Sequence, residues 1–290
     1  MSVEQSLIPD AQTQQLWSVT TLIKLGLGTS DPLVNWAVNT TAAAAIDDER
    51  VWKSRLANEG RDSAIEYLRR RRFESSAVAK DRGSDIHRAA EALALGEPVE
   101  IEQPLRPYVD HYHAWLQTHR PRFVMAEAPV YNPRWLYAGT CDGVLVLPSM
   151  PDTQFIFDIK TTDKPPDARS RPPYSEVALQ MCAYARCTEV GVMAEKRTSG
   201  SGKRYYVYDP TRRHEPMPRV DAALCIVVSP YDCFAVPVRI DDGVWQTWLA
   251  VLKTARWQQQ GSHDLFGAPI EGPGPSLLER QLTATLEAIS

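Results

Sequence analysis

Between Arg122 and Thr162 the chain carries three runs in close succession, "RFVMAEAPVY", "WLYAGTCDGVLVL" and "QFIFDIKTT". Their hydropathy repeats with period two, and Val, Ile, Phe and Tyr dominate, so three β-strands are predicted. The last two runs are separated by "PSMPDT", whose prolines and polar residues mark a turn. Strands joined in this way are expected to pair, and everything else in the chain has to be arranged around the sheet they begin.

The residues before this point read as mostly helical. "WSVTTLIKLGL" and "DPLVNWAVNTTAAAAID" are short apolar pieces broken by Gly, Ser and Pro, and the stretch from Asp47 to Ala79 is charged and helix-prone. A further helix is expected in "DRGSDIHRAAEALALGEP", with Ser84 as N-cap, Ile86, Ala89, Ala90 and Leu93 as its apolar stripe, and Gly96 and Pro98 as its stop. "LRPYVDHYHAWLQTH" follows with Tyr108, Tyr112, Trp115 and Leu116 on one side. After the three strands, "SEVALQMCAYARC" reads as a helix capped by Ser175. Residues 189 to 220 read as loop with a strand at "RYYVYD", and "DAALCIVVS" and "CFAVPVRI" read as two more strands. "DDGVWQTWLAVLKTARWQQQG" is an amphipathic helix with Trp245, Trp248, Leu249 and Leu252 inward, and a Gly/Pro linker leads to a last short helix. This order predicts an α/β domain with a mixed central sheet flanked by helices, after a helical N-terminal lead-in.

Alternation then places chemistry. In "FIFDIK", Ile156, Asp158 and Lys160 share one strand face; in "YAGTCDGV", Asp142 sits with Thr140 and Val144. With 36 acidic residues but only 8 lysines in 290, about one acidic-x-Lys triplet is expected by chance, so the triplet counts only through its setting. That setting is the end of a strand that reads as buried, paired to a strand carrying a second aspartate. Two carboxylates and a lysine gathered there are costly unless something compensates them. Mg²⁺ does so: it favours carboxylate oxygen and keeps waters for a substrate phosphate.

These residues resemble the PD-(D/E)xK nuclease superfamily, in its RecB-like, phage-type exonuclease branch. The resemblance is carried by "GTCDGV", "FDIKTT" sixteen residues after Asp142, and "QMCAY". It is extended by "GSDIH" upstream, by "AEAPV" on the first strand and by the opening "WSVTTLIKLG", and it runs from roughly 81 to 239. It implies a restriction-endonuclease-like core over residues 81–260, with residues 1–80 as a helical region packed on it and 261–290 as linker and terminal helix. It implies His87, Asp142, Asp158 and the backbone carbonyl of Ile159 as ligands of Mg²⁺ or Mn²⁺, with Glu127 as a further ligand. Lys160 is then catalytic, and Gln180 and Tyr184 support the site or contact DNA. The partner implied is linear DNA with a free end. Because the chain carries no helicase motor, unwinding would come from a helicase or a single-strand annealing protein.

Other features narrow the function. The net charge of −4 gives no general pull toward nucleic acid, so DNA would be held locally or through metal. Arg69, Arg70, Arg71 and Arg72, with Lys196, Arg197, Lys203, Arg204, Arg212 and Arg213, read either as solvated faces or as the lining of a DNA groove. "GSGKRYY" lacks the first glycine and the Ser/Thr of a phosphate-binding loop. His111 and His113, two apart on a helix, diverge and read as surface residues. The five cysteines are odd in number and form no C-x-x-C, which argues for a reduced, cytoplasmic setting; the resemblance implies that this is a bacterial or phage-infected cell, and because the first 140 residues hold no cysteine the four-cysteine iron–sulfur cluster of some RecB-like nucleases is not expected. No apolar run of about 18 residues is present, so no membrane partner is expected.

Overall fold

The computed structural model describes residues 14–28, 31–99, 101–163, 165, 175–191, 196–200, 202–260 and 275–289. The chain enters the sheet earlier than its apolar pattern predicts. Gln14–Ser18 form β1, and only then does α1 (Val19–Leu27) begin; α2 (Asp31–Asp47) and α3 (Glu49–Asn58) follow. A single long helix, α4 (Arg61–Ala94), replaces the break expected before Ser84, and it also carries the chain uninterrupted through residues 80 and 81. Ser84 does not cap it: its hydroxyl donates to the Lys80 carbonyl one turn back, the local bond that lets serine sit inside a helix. The expected stop does hold, because α4 ends at Ala94 and Gly96 takes a φ of 74°.

After α5 (Arg106–His119) come β2 (Arg122–Asn132), β3 (Tyr137–Leu147) and β4 (Met150–Thr161). The β3–β4 turn is tighter than "PSMPDT" suggests, since Met150 already pairs with Leu147. Then follow α6 (Ser175–Ala185), β5 (Glu189–Gly191), β6 (Lys196–Thr198), β7 (Arg204–Tyr208), β8 (His214–Pro216), β9 (Ala222–Val228), β10 (Cys233–Val238), α7 (Asp242–Gln260) and α8 (Pro275–Ile289). The segment read as loop thus holds short strands besides β7, while the expected Gly/Pro linker at 261–274 lies outside the described residues.

The result is a mixed, ten-stranded sheet flanked by helices. β3 is its pivot. One edge of β3 pairs antiparallel with β2 over nearly its whole length. The other edge is shared: Tyr137 and Ala138 pair parallel with Trp17 and Ser18 of β1, and Gly143 to Leu147 pair antiparallel with β4. Between them, residues 139–142 have no ladder partner on that edge among the described residues, and the sheet splits. β4 leans instead on β9, parallel, from Phe155 to Thr161.

Two apolar layers cover the sheet. Ile156, Cys141 and Ala223 on one face pack with Val19 and Leu22 of α1, Val177 and Met181 of α6, and Trp248 and Leu252 of α7. Phe155, Phe157, Ile159 and Leu145 on the other pack with Ile86 and Ala90 of α4 and with Tyr108, Tyr112 and Trp115 of α5. Cys141 and Leu145 are four apart on one strand, yet they lie in different layers. The pleat is therefore broken between them, at Gly143, whose φ is 150°. No helix among the described residues is long and apolar enough to cross a membrane.

Tyr184 is buried, and a Cβ built on Gly139 would come 2.4 Å from its ring. Gly139→Ala should therefore cost about 1–3 kcal/mol of stability by overpacking, and pairing it with Tyr184→Leu should recover part of the loss. Thermal melts of the three variants check this; a Gly139→Ala protein that melts with the wild type would remove the close contact.

Candidate metal centre at the split between two strands

The split is lined from three directions. From β3, Asp142 Oδ2 accepts the Ile159 N–H of β4 at 2.6 Å. Had the ladder continued two steps past Gly143↔Phe157, Ile159 would have faced Cys141; the carboxylate takes that backbone bond instead. A strand residue sends its N–H and C=O to the same edge, so the Ile159 carbonyl also faces the split. From β2, Glu127 stands opposite Asp142, because Ala126 pairs with Gly143 and Ala128 with Cys141. Glu127 holds a φ of 41°, rarely adopted by a residue with a side chain and of the kind that collects at functional sites. From α4, His87 brings Nδ1 to 3.6 Å from Asp142 Oδ2.

One ligand atom each from His87, Glu127 and Asp142 lies within 4.8 Å of the others. Opposite ligands of a Mg²⁺-sized ion, at about 2.0–2.1 Å each, stand roughly 4.2 Å apart, so only a small contraction is needed. Two carboxylates and one imidazole form a hard, oxygen-rich set that suits Mg²⁺ or Mn²⁺. The residues present fit the metal.

Asp158 lies beside this group rather than in it. It is buried, its Oδ1 accepts from Gln180 Nε2 of α6 at 3.2 Å, and its Oδ2 lies 2.6 Å from Lys160 Nζ. The broken pleat at Gly143 explains the separation. Strict alternation puts Asp142 and Asp158 on one face, whereas Asp142 reaches toward α4 and Asp158 toward α6. The two remain electrically linked. Burial first, and the charge of Asp158 after it, push the Asp142 carboxyl up to about 6, against the opposing pull of His87, the Ile159 N–H and Lys160. For Lys160, burial works to lower the ammonium, but the charge and bond of Asp158 prevail and the group is raised.

The structure thus brings together His87, Glu127, Asp142, Asp158, Ile159, Lys160 and Gln180. Tyr184 belongs to the packing beneath β3 and not to a solvent-facing mouth. Arg69 to Arg72 stand apart: even Arg72 precedes His87 by fifteen residues of one helix, about 22 Å. Arg71 is held by Asp48 at 2.8 Å and Glu74 at 2.7 Å, Arg69 lies 3.7 Å from Glu66, Arg70 is exposed, and Arg72 lies over the Phe73 ring. Lys203 and Arg204 are nearer. They begin the β7 arm of a hairpin whose Tyr206 hydroxyl lies 3.4 Å from Thr140 Oγ1, two residues before Asp142. The sequence reading passed over Arg82 and Asp163, which form a 3.6 Å ion pair at the end of β4. "DRG", one turn before "SDIH", was the available signal.

The raised Asp142 carboxyl has a consequence for the metal-free protein. Its folded value lies above the unfolded one, so the folded state holds the proton more tightly. The contribution to stability is fully present below about pH 4 and is lost as pH rises through about 6. Relative to wild type, Asp142→Asn should thus gain melting temperature between pH 4.5 and 7, and Mn²⁺ should raise the wild-type melting temperature more at pH 7.5 than at pH 4.5. Parallel melts in chelator and in Mn²⁺ test both; a wild type and variant that keep a constant difference across this range would contradict the assignment.

Comparison of the chain with protein-family profiles finds no match, and comparison with curated proteins finds none either, so a functional reading has to stand on this geometry.

Proposed function

We propose that this protein is a Mg²⁺- or Mn²⁺-dependent DNA nuclease of the PD-(D/E)xK type, hydrolysing phosphodiester bonds of linear DNA from an end. The observation that carries the reading is the meeting, at one strand split, of a His–Glu–Asp ligand group with a separately held Asp–Lys pair. A structural ion pair alone does not account for the ligand group, and a metal site alone does not account for a lysine held 2.6 Å from a buried carboxylate.

The roles follow from position. His87, Glu127 and Asp142, with the Ile159 carbonyl beside them, would hold the metal. Bound there, Mg²⁺ or Mn²⁺ supplies Lewis acidity toward the phosphate and lowers the pKa of water. Gln180 fixes one oxygen of Asp158, and Asp158 fixes the Lys160 ammonium through the other. Lys160, 38% exposed at its side chain, keeps donors beyond its contact with Asp158, and these orient the attacking water and stabilise charge growing on the phosphate oxygens. Water attacks phosphorus in line, and the bond to the 3′ or 5′ oxygen breaks. Lysine suits this task because it is a compact point charge with movable donors, whereas arginine is a planar fork.

Digestion of end-labelled linear DNA beside a closed circle, in Mg²⁺, Mn²⁺ or EDTA, tests the reading. Linear DNA should be degraded with either metal, and EDTA should abolish the activity. Degradation of the circle would make the enzyme an endonuclease, and activity persisting in EDTA would remove the metal. Lys160→Ala should lower single-turnover cleavage by roughly 10²- to 10³-fold while DNA binding holds, and Lys160→Arg should rescue it poorly. Full activity in the arginine variant would return Lys160 to a structural ion pair.

A further inference from the structure

A second cationic position stands at the other side of the β4 strand end, unused by any role above. Arg82 precedes His87 by five residues of α4, a displacement of about 7.5 Å along the helix. Gly83, one turn before His87 on the same stripe, brings α4 against the end of β4: a Cβ there would lie 3.6 Å from Thr161 Oγ1, next to Lys160. Arg82 and His87 therefore lie between one and two turns apart on the stretch of α4 that packs against the end of β4.

The guanidinium is positioned but incompletely bonded. It lies 5.9 Å from the centroid of the Tyr108 ring, and Tyr108 is itself buried in the layer shared by α4 and α5. Its Nη2 is 3.6 Å from Asp163 Oδ2, too long for a hydrogen bond. Its Nε is buried with no hydrogen-bond partner among the described residues. Nε–H and Nη2–H form one edge of the guanidinium, the edge that accepts two oxygens of a phosphate side by side. Asp163, 64% exposed where Arg82 is 29% exposed, lies beside Nη2 without bonding to it. A pair of this kind, long and half solvated, is weak and exchangeable.

We propose that Arg82 is a phosphate subsite, taking the backbone phosphate next to the scissile one in a polynucleotide, with Asp163 as the carboxylate that this phosphate displaces. The identity of the ligand rests on the nuclease reading; the unfilled guanidinium edge does not. The subsite makes the substrate a chain with consecutive phosphates rather than an isolated phosphodiester. It also gives Asp163 a sign: it competes with substrate.

The test is binding of a fluorescein-labelled single-stranded oligonucleotide, followed by anisotropy in EDTA across a salt series, alongside cleavage in Mg²⁺ and Mn²⁺. Arg82→Gln should weaken binding and make the slope of log affinity against log salt shallower by about 0.7, the value for one phosphate contact on a single strand. Asp163→Asn should tighten binding, an effect that a folding defect does not imitate, and the gain should vanish in the Arg82→Gln/Asp163→Asn double variant. If Arg82→Gln fails to fold, the sign of the Asp163→Asn change decides alone. An unchanged slope in Arg82→Gln, no gain in Asp163→Asn, a gain that survives in the double variant, or a wild type that does not bind overturns the subsite. Cleavage unaffected by Arg82→Gln would defeat the subsite and leave the nuclease reading intact. Binding that follows the expected pattern without cleavage in either metal would do the reverse.

Discussion

The bond from the Ile159 N–H to the Asp142 carboxylate stands where the β3–β4 ladder ceases. β3 has one edge to offer two strands, β1 near its start and β4 near its end, and both cannot continue past each other. The backbone groups freed at the split need partners, because an unmade bond in a buried setting costs about as much as the bond itself. A side-chain carboxylate supplies the partner on β4. Once an ionised acid is fixed there for a structural reason, the surrounding chemistry is constrained: further charges must be paired or must hold a cation. Glu127 on β2 and His87 on α4 meet it from outside the split, and Asp158 is paired internally with Lys160.

The division of labour between the two aspartates depends on one backbone irregularity. In a regular strand Asp142 and Asp158 face the same way and repel across a shared space. The break at Gly143, with Glu127 held at positive φ opposite the neighbouring Asp142, turns Asp142 toward α4 and leaves Asp158 to α6. The candidate ligands His87, Glu127 and Asp142 and the lysine with its anchor then occupy adjoining but distinct positions. Lys160 can be charged and held without consuming the carboxylate that a cation needs.

The fold was legible where the signal was local. Runs of β-branched and aromatic residues marked β2, β3, β4, β9 and β10, and the apolar stripes of α5 and α7 gave their buried faces. β1 was missed because five residues next to an apolar helix carry no period of their own; Trp17 becomes a strand residue through Tyr137, far along the chain. Ser84 was taken for a cap because its alternative, a bond back to Lys80, is invisible without the helix continuing through Gly83. At the site, Asp142, Asp158 and Lys160 could be singled out from strand position alone, and His87, Glu127 and Gln180 from the resemblance. What alternation could not supply was the broken pleat, which depends on two dihedral angles, and with it the placement of Asp158 outside the ligand group. Arg82 was passed over because its meaning lies in an unfilled edge, a property of the folded surroundings and not of the residue type.

The central claim is that a divalent cation binds where α4 meets the split, between His87, Glu127 and Asp142. Anomalous diffraction from crystals of the protein soaked in Mn²⁺ measures this without reference to activity. The account predicts a single strong peak within coordination distance of all three side chains, with Lys160 remaining on Asp158. A peak centred on Asp158 with Lys160 displaced, or no peak at the split in crystals that diffract with Mn²⁺ present, would contradict it.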